Sequence, residues 1–236
     1  MLLIFCRSLL AGLAILSAAA FADEASVKRT IEARFGGIKV ESVTRTPYLG
    51  LYEVVIGEEI VYTDDRAGYI FNGSIIETGT RRNLTEERLQ KLSVINFGEL
   101  PLELAIKQVR GNGRRVVAVF SDPFCPYCRR LDQGLAQMTD TTIYTFLYPI
   151  LREKESPQMA TRIWCSPDRA KAYYDFMLSN RQPQPAGKCT APVARWIALG
   201  QKFGVRATPV SFVPNGQRLV GARVAELQKL MEDSAK

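Results

Sequence analysis

Phe120-Ser121-Asp122-Pro123-Phe124-Cys125-Pro126-Tyr127-Cys128-Arg129-Arg130-Leu131 is the stretch on which the reading of this chain turns. It overlaps residues 115–120 (RVVAVF), a continuous apolar run of the kind carried by a strand buried on both faces. A helix is expected to open at the Cys-x-x-Cys segment and run to about Met138. At a helix N-terminus the free backbone N–H groups and the macrodipole stabilise a thiolate. Cys125 is the cysteine best placed to receive them, and Arg129 and Arg130 add positive charge just past the motif. The spacing lets Cys128 reach back and close a small-ring disulfide. Cys125 is therefore read as the attacking thiol and Cys128 as the thiol that resolves the mixed disulfide.

The composition bounds what else is possible. The 236 residues include five cysteines and no histidine, with 31 Lys+Arg against 24 Asp+Glu for a formal charge of +7. Without histidine there is no Ser-His-Asp triad, no Cys-His pair and no His-ligated metal. A thiolate here has to be activated without imidazolium. At 47% hydrophobic and 23% charged, the chain is globular in class. Its basic pairs (Arg81-Arg82, Arg114-Arg115, Arg129-Arg130) are separated by acids and form no aromatic-laced stripe, so no nucleic-acid partner is expected.

Residues 9–22 (LLAGLAILSAAAFA) are apolar and small, follow Arg7, and end in Ala20-Phe21-Ala22 before the acidic Asp23-Glu24. This is the pattern of a secretory signal peptide cleaved after Ala22. The alternative, an uncleaved anchor, would be short against the roughly 20 apolar residues a spanning helix needs. Cleavage removes Cys6 and Arg7, leaving four cysteines and a formal +6. Four cysteines allow three pairings; the two-residue gap makes Cys125–Cys128 the obvious pair and leaves Cys165 and Cys189 for each other. A four-cysteine zinc site, a Cu(I) site on the Cys-x-x-Cys and a purely structural disulfide there are the competing readings. The preferred one needs no metal and no cofactor.

Three segments follow the leader. Residues 23–82 read as a small α+β module: Val27, Ile31 and Phe35 share one helical face that ends at Gly36-Gly37, and short strands are expected at 38–44, 51–56, 59–63, 69–71 and 74–77. So small a unit is marginal alone, which suits a dimerisation module. Residues 83–110 read as a helical linker, with Asn83 and Glu86 (or Thr85) as its cap and a second helix over 101–109. Residues 111–236 read as the catalytic domain, with strands at 115–120 and 142–147, helices at 158–164, 169–178 and 193–203, a hairpin across Pro214-Asn215-Gly216 and a closing helix at 224–231. Thr208-Pro209 precedes the first hairpin strand. A proline is awkward inside a central strand; a cis peptide bond opposite the Cys-x-x-Cys would explain it, and a trans edge-strand proline is the alternative.

The exported leader, small N-terminal module, helical linker, FSDPFCPYC strand-loop-helix and Ala207-Thr208-Pro209 together resemble the DsbC/DsbG family of periplasmic thiol:disulfide isomerases. The resemblance covers essentially the whole mature chain and is DsbC-like more than DsbG-like. It implies an α+β protein with a cystatin-like N-terminal dimerisation domain, a helical linker and a thioredoxin-like domain with a helical insertion. It also implies a V-shaped homodimer whose cleft holds misfolded disulfide-containing exported proteins, and a DsbD-like membrane reductase that keeps the site reduced. By position, it makes Cys125 the nucleophile, Cys128 the resolving cysteine, Thr208, cis-Pro209 and Tyr127 the substrate-binding residues, and Cys165–Cys189 a structural disulfide.

Two departures qualify it. Pro126-Tyr127 is the DsbG-type dipeptide, whereas the second cysteine pair points back to DsbC. A DsbG-like reductase of sulfenylated cysteines with holdase (chaperone) activity therefore stays open, as does a DsbA-like oxidase. Thioredoxin itself places a buried acid six residues before its first cysteine. That position is Val119 here, so a carboxylate relay at that point is absent.

Overall fold

In a computed structural model, residues 23–57 and 59–236 are described. The leader, its cleavage site and Cys6 lie outside them. The chain divides into two compact units, one ending at Gly73 and one spanning Ser74–Lys236.

The first unit opens with helix α1 (Glu24–Arg34). Asp23 caps it by accepting the Ser26 N–H at 2.6 Å. Gly36 and Gly37, with φ of +45° and +97°, end it in backbone that a side chain would strain. Strands β1 (Ser42–Arg45), β2 (Tyr52–Ile56), β3 (Glu59–Thr63) and β4 (Ile70–Phe71) form an antiparallel meander in that order. Val27 and Ile31 of α1 pack with Val40, Val43, Tyr52, Val54 and Val61 as its core. Phe35, expected on the buried face, is half exposed because the helix gives way to its C-cap there.

The second unit starts with a two-stranded ribbon, β5 (Ile76–Glu77) and β6 (Arg82–Asn83). The run expected at 74–77 is thus a ribbon apart from the first sheet. Helix α2 (Leu84–Leu92) follows. Asn83 accepts the Glu86 N–H at 3.0 Å and is the cap, while Thr85 Oγ1 accepts the Ile75 N–H instead. The helix expected over 101–109 is not formed. A 3-10 turn at Leu102–Leu104 leads into strand β7 (Ile106–Arg110), antiparallel to a central strand. Leu102, Leu104 and Ile106 alternate at the strand period, and pairing with a neighbour decided what periodicity in so short a run left ambiguous.

The main sheet has the order β11-β10-β8-β9-β7. Strand β8 (Arg115–Ser121) runs parallel to β9 (Thr141–Leu147), while β7, β10 (Val210–Phe212) and β11 (Arg218–Val220) are antiparallel to their neighbours. Its central position buries β8 from Val117 to Ser121, as the apolar run requires. Helices α3 (Pro126–Ala136), α4 (Glu155–Trp164), α5 (Arg169–Ser179), α6 (Val193–Lys202) and α7 (Val224–Asp233) cover it. The core falls into one cluster around Phe120, Phe146, Trp196 and Phe212 and another around Val119, Leu131, Leu135 and Leu227. At Gly134 a Cβ would stand 2.5 Å from Val224, so the close approach of α3 and α7 depends on that glycine. No described helix is long and apolar enough to cross a membrane.

Candidate active site

Strand β8 ends at Ser121, and Asp122 pins the loop that follows. Its buried carboxylate accepts from the Phe124 N–H (2.8 Å), the Ser156 hydroxyl (3.0 Å) and the Leu151 N–H (2.9 Å). Cys125 is the N-cap of α3, with Pro126 in the first turn, where a missing N–H costs nothing. Cys125 and Cys128 are both buried free thiols. Across from them, Thr208-Pro209 is a cis peptide bond, and β10 begins at the next residue.

The Cys128 N–H donates to Cys125 Sγ at 3.4 Å, and the Cys125 thiol donates to the Thr208 carbonyl at 3.3 Å. Against that carbonyl, which favours the protonated thiol, donors around the sulfur hold the Cys125 pKa down at about 6, from an ordinary 9.0. The Cys128 thiol contributes most as a donor to the thiolate. The Thr208 hydroxyl, buried and without another partner, and the Cys128 and Tyr127 backbone amides add to it, against the cost of burial. Cys125 is therefore mostly thiolate at neutral pH. Burial pushes the Cys128 thiol up, and its role as donor to Cys125 adds to that. The two cysteines thus divide into a sulfur that is ionised and a partner that keeps its proton.

Arg129 and Arg130, expected to activate Cys125, are not among the main causes of its lowered pKa. The exposed Arg130 instead lies over the Tyr127 ring, 5.8 Å from its centroid. Charges in solvent are screened, whereas backbone amides aimed at a buried sulfur are not. Tyr127 is 58% exposed beside the pair.

Three residues that sequence reasoning passed over lie behind Cys128. Ser121 Oγ is within hydrogen-bonding reach of the Cys128 thiol and lowers its pKa. Ser121 Oγ is 2.7 Å from Tyr173 Oη, and Tyr173 Oη donates to Asp132 Oδ2 at 2.8 Å. All three side chains are buried. Burial raises the Asp132 pKa to about 7, opposed by the Tyr173 hydroxyl and Arg110, with the Cys125 charge adding to the rise. The signal was legible: an acid one turn past Cys128, between the buried Leu131 and Leu135, on the face that turns inward.

Cys165 and Cys189 are joined by a disulfide that ties the C-terminus of α4 to the loop before α6. They are thus not free as thiolate ligands, and the described residues contain no cluster of three or more His, Cys, Asp or Glu suited to a metal.

Residues 18–86 match the disulfide bond isomerase protein N-terminal domain, and residues 102–235 match a thioredoxin-like domain. A Bordetella parapertussis protein named "Probable thiol:disulfide interchange protein DsbC" is 48% identical over 200 residues, 84% of this chain and 70% of that protein. The chain belongs to the DsbC family. The Escherichia coli (strain K12) thiol:disulfide interchange protein DsbC is more distant, 26% identical over 230 residues, but aligns over 95% of this chain and 94% of its own length. Among solved structures, a disulfide interchange protein from Neisseria gonorrhoeae superposes with a TM-score of 0.55 at 40% identity, covering 58% of this chain and 99% of that one. DsbC membership accounts for both units, the mixed α+β module and the thioredoxin-like domain with its inserted helices.

Proposed function

We propose that this DsbC-family chain is a periplasmic thiol:disulfide interchange enzyme that reduces and isomerises non-native disulfides in exported proteins. The observation that carries this reading is the pairing of an ionised, buried Cys125 with a protonated Cys128 at the start of α3. The Cys125 thiolate attacks one sulfur of a substrate disulfide and forms a mixed disulfide, releasing a substrate thiolate. That thiolate either attacks a different substrate disulfide and rearranges it, or Cys128 attacks Cys125 and leaves the substrate reduced. Thr208, Pro209 and the exposed Tyr127 frame the sulfur and are positioned to hold the substrate backbone beside it.

The protein works as a homodimer. Strand β4 is an edge of the first sheet and exposes Tyr69 (73%), Ile70 (38%) and Phe71 (51%), an apolar strand edge of the kind that pairs with another chain. In an oxidising compartment the site needs electrons from a DsbD-like membrane reductase to stay a dithiol. Export follows from a signal peptide cleaved after Ala22. The holdase activity expected of the family resides in the dimer's substrate-holding surface.

Refolding of a scrambled multi-disulfide protein tests the assignment. Replacing Cys125 with Ser should abolish recovery of native activity in that assay. Recovery at the wild-type rate would remove Cys125 as the nucleophile.

A further inference from the structure

The hydrogen bonds behind Cys128 run in one direction. Tyr173 Oη gives its only proton to Asp132 Oδ2, so in its 2.7 Å contact with Ser121 it accepts and Ser121 donates. The Ser121 proton is then also committed, so once a mixed disulfide takes the charge off Cys125 and frees the Cys128 proton from it, the Ser121 oxygen beside Cys128 is the acceptor left. In the mixed disulfide the order is then Cys128 S–H to Ser121 Oγ–H to Tyr173 Oη–H to the Asp132 carboxylate. Cys128 is 1% exposed, so its thiol has no direct path to bulk water.

We propose that Asp132, acting through Tyr173 and Ser121, takes up the Cys128 proton when Cys128 resolves a mixed disulfide on Cys125. The inference rests on the Cys125–Cys128 redox pair proposed above. The Cys128 proton passes to Ser121 Oγ as the Ser121 proton moves to Tyr173 Oη and the Tyr173 proton to Asp132 Oδ2. The Cys128 thiolate then bonds to Cys125 Sγ, the bond between Cys125 and the substrate sulfur breaks, and its electron pair leaves on the substrate thiolate. The dithiol is oxidised by two electrons and the substrate disulfide is reduced by the same two. Afterwards Ser121 points its new proton toward the sulfur, the arrangement that favours a Cys128 thiolate.

The groups facing Asp132 suit this role. Arg110 of β7 and Tyr173 of α5 favour its carboxylate; burial and the charge on Cys125 disfavour it. Tyr174 of α5 is also coupled to it, its own pKa pushed up by burial and by Asp132, and it lies under the Arg110 guanidinium. Cys128 sits one helical turn away. A mixed disulfide takes the charge off Cys125, so the carboxylate is favoured at the step that needs an acceptor. In thioredoxin the acid comes from the strand; here that position is Val119, and helix α3 supplies the carboxylate from a different point.

Reaction of the reduced protein with 5,5′-dithiobis(2-nitrobenzoate) separates the steps. One thionitrobenzoate is released when Cys125 attacks the reagent and a second when Cys128 attacks the resulting mixed disulfide. In the wild type the second rate should rise with pH through a midpoint below the value of about 7 that Asp132 has beside a charged Cys125. Tyr173→Phe should lower the ratio of second to first rate about tenfold at pH 7 and remove that midpoint. Asp132→Asn should do the same and Asp132→Glu should recover part of the ratio. Should Tyr173→Phe not fold, Ser121→Ala breaks the same route by deleting one oxygen. A wild-type ratio and pH profile in these variants overturns the relay, whereas a wild type that gives no first release overturns the redox-pair reading itself.

Discussion

The backbone N–H of Cys128 donates to the sulfur of Cys125 at 3.4 Å, so one cysteine of the proposed redox pair stabilises the charge on the other. A helix N-terminus leaves such amides without intrahelical partners, and here a sulfur takes one of them. The geometry depends on Cys125 being the N-cap rather than a residue within the helix.

Alkylation of Cys125 should therefore follow a thiolate titration with a midpoint near pH 6. The same shift links redox form to stability. The folded pKa of about 6 lies below the ordinary 9.0, so the contribution is complete above pH 9 and disappears as pH falls through 6. At pH 7 it favours the folded dithiol by about 1 kcal/mol. Cys128 stays protonated in both states up to about pH 8, but Asp132, raised from 3.8 to about 7 in the folded state, contributes with the opposite sign between pH 5 and pH 8. Iodoacetamide kinetics against pH measures the midpoint, and the difference between urea melts of the reduced wild type and of Cys125→Ser at pH 5 and pH 8 isolates the Cys125 contribution.

Thr208→Val should raise that midpoint by about one pH unit, because it deletes the buried hydroxyl that helps hold the thiolate while keeping the branched shape. The carbonyl that meets the Cys125 thiol belongs to the backbone and is retained. The same alkylation titration reads the shift.

Removing the Cys165–Cys189 bridge with a double Ala substitution should cost about 3 kcal/mol, from the loop that a 24-residue separation closes. The two releases of thionitrobenzoate from Cys125 and Cys128 should persist below the lowered melting temperature. Thermal denaturation with and without the bridge gives the difference.

Charge on the β4 edge should separate the proposed dimer. Phe71→Glu puts a carboxylate at an exposed apolar strand end. Sedimentation at micromolar concentration should then shift from dimer to monomer. An unchanged sedimentation coefficient would place the interface elsewhere.

Much of the fold was legible because its signals are local. The apolar run ending at Phe120, the Cys-x-x-Cys after it and the proline before Val210 each specify their own backbone. The misreading over 101–109 came from a short segment with no clear periodicity, of which Leu102–Leu104 forms a 3-10 turn and Ile106–Arg110 becomes a strand by pairing with β9. The activating arginines were misread because proximity in sequence said nothing of exposure. Asp132, Tyr173 and Ser121 stand 52 residues apart at their widest, so their meeting is a product of α3 and α5 packing over β8. Only the inward-facing acid on α3 hinted at it.

To act as a reductant and isomerase in an oxidising compartment, the Cys125–Cys128 pair has to be kept reduced there. Acid-quenching cells and alkylating free thiols in the periplasmic fraction reports the state of that pair directly. Most molecules should carry two alkylated thiols, at Cys125 and Cys128. A pair found mostly as the disulfide would contradict it and make the protein an oxidase.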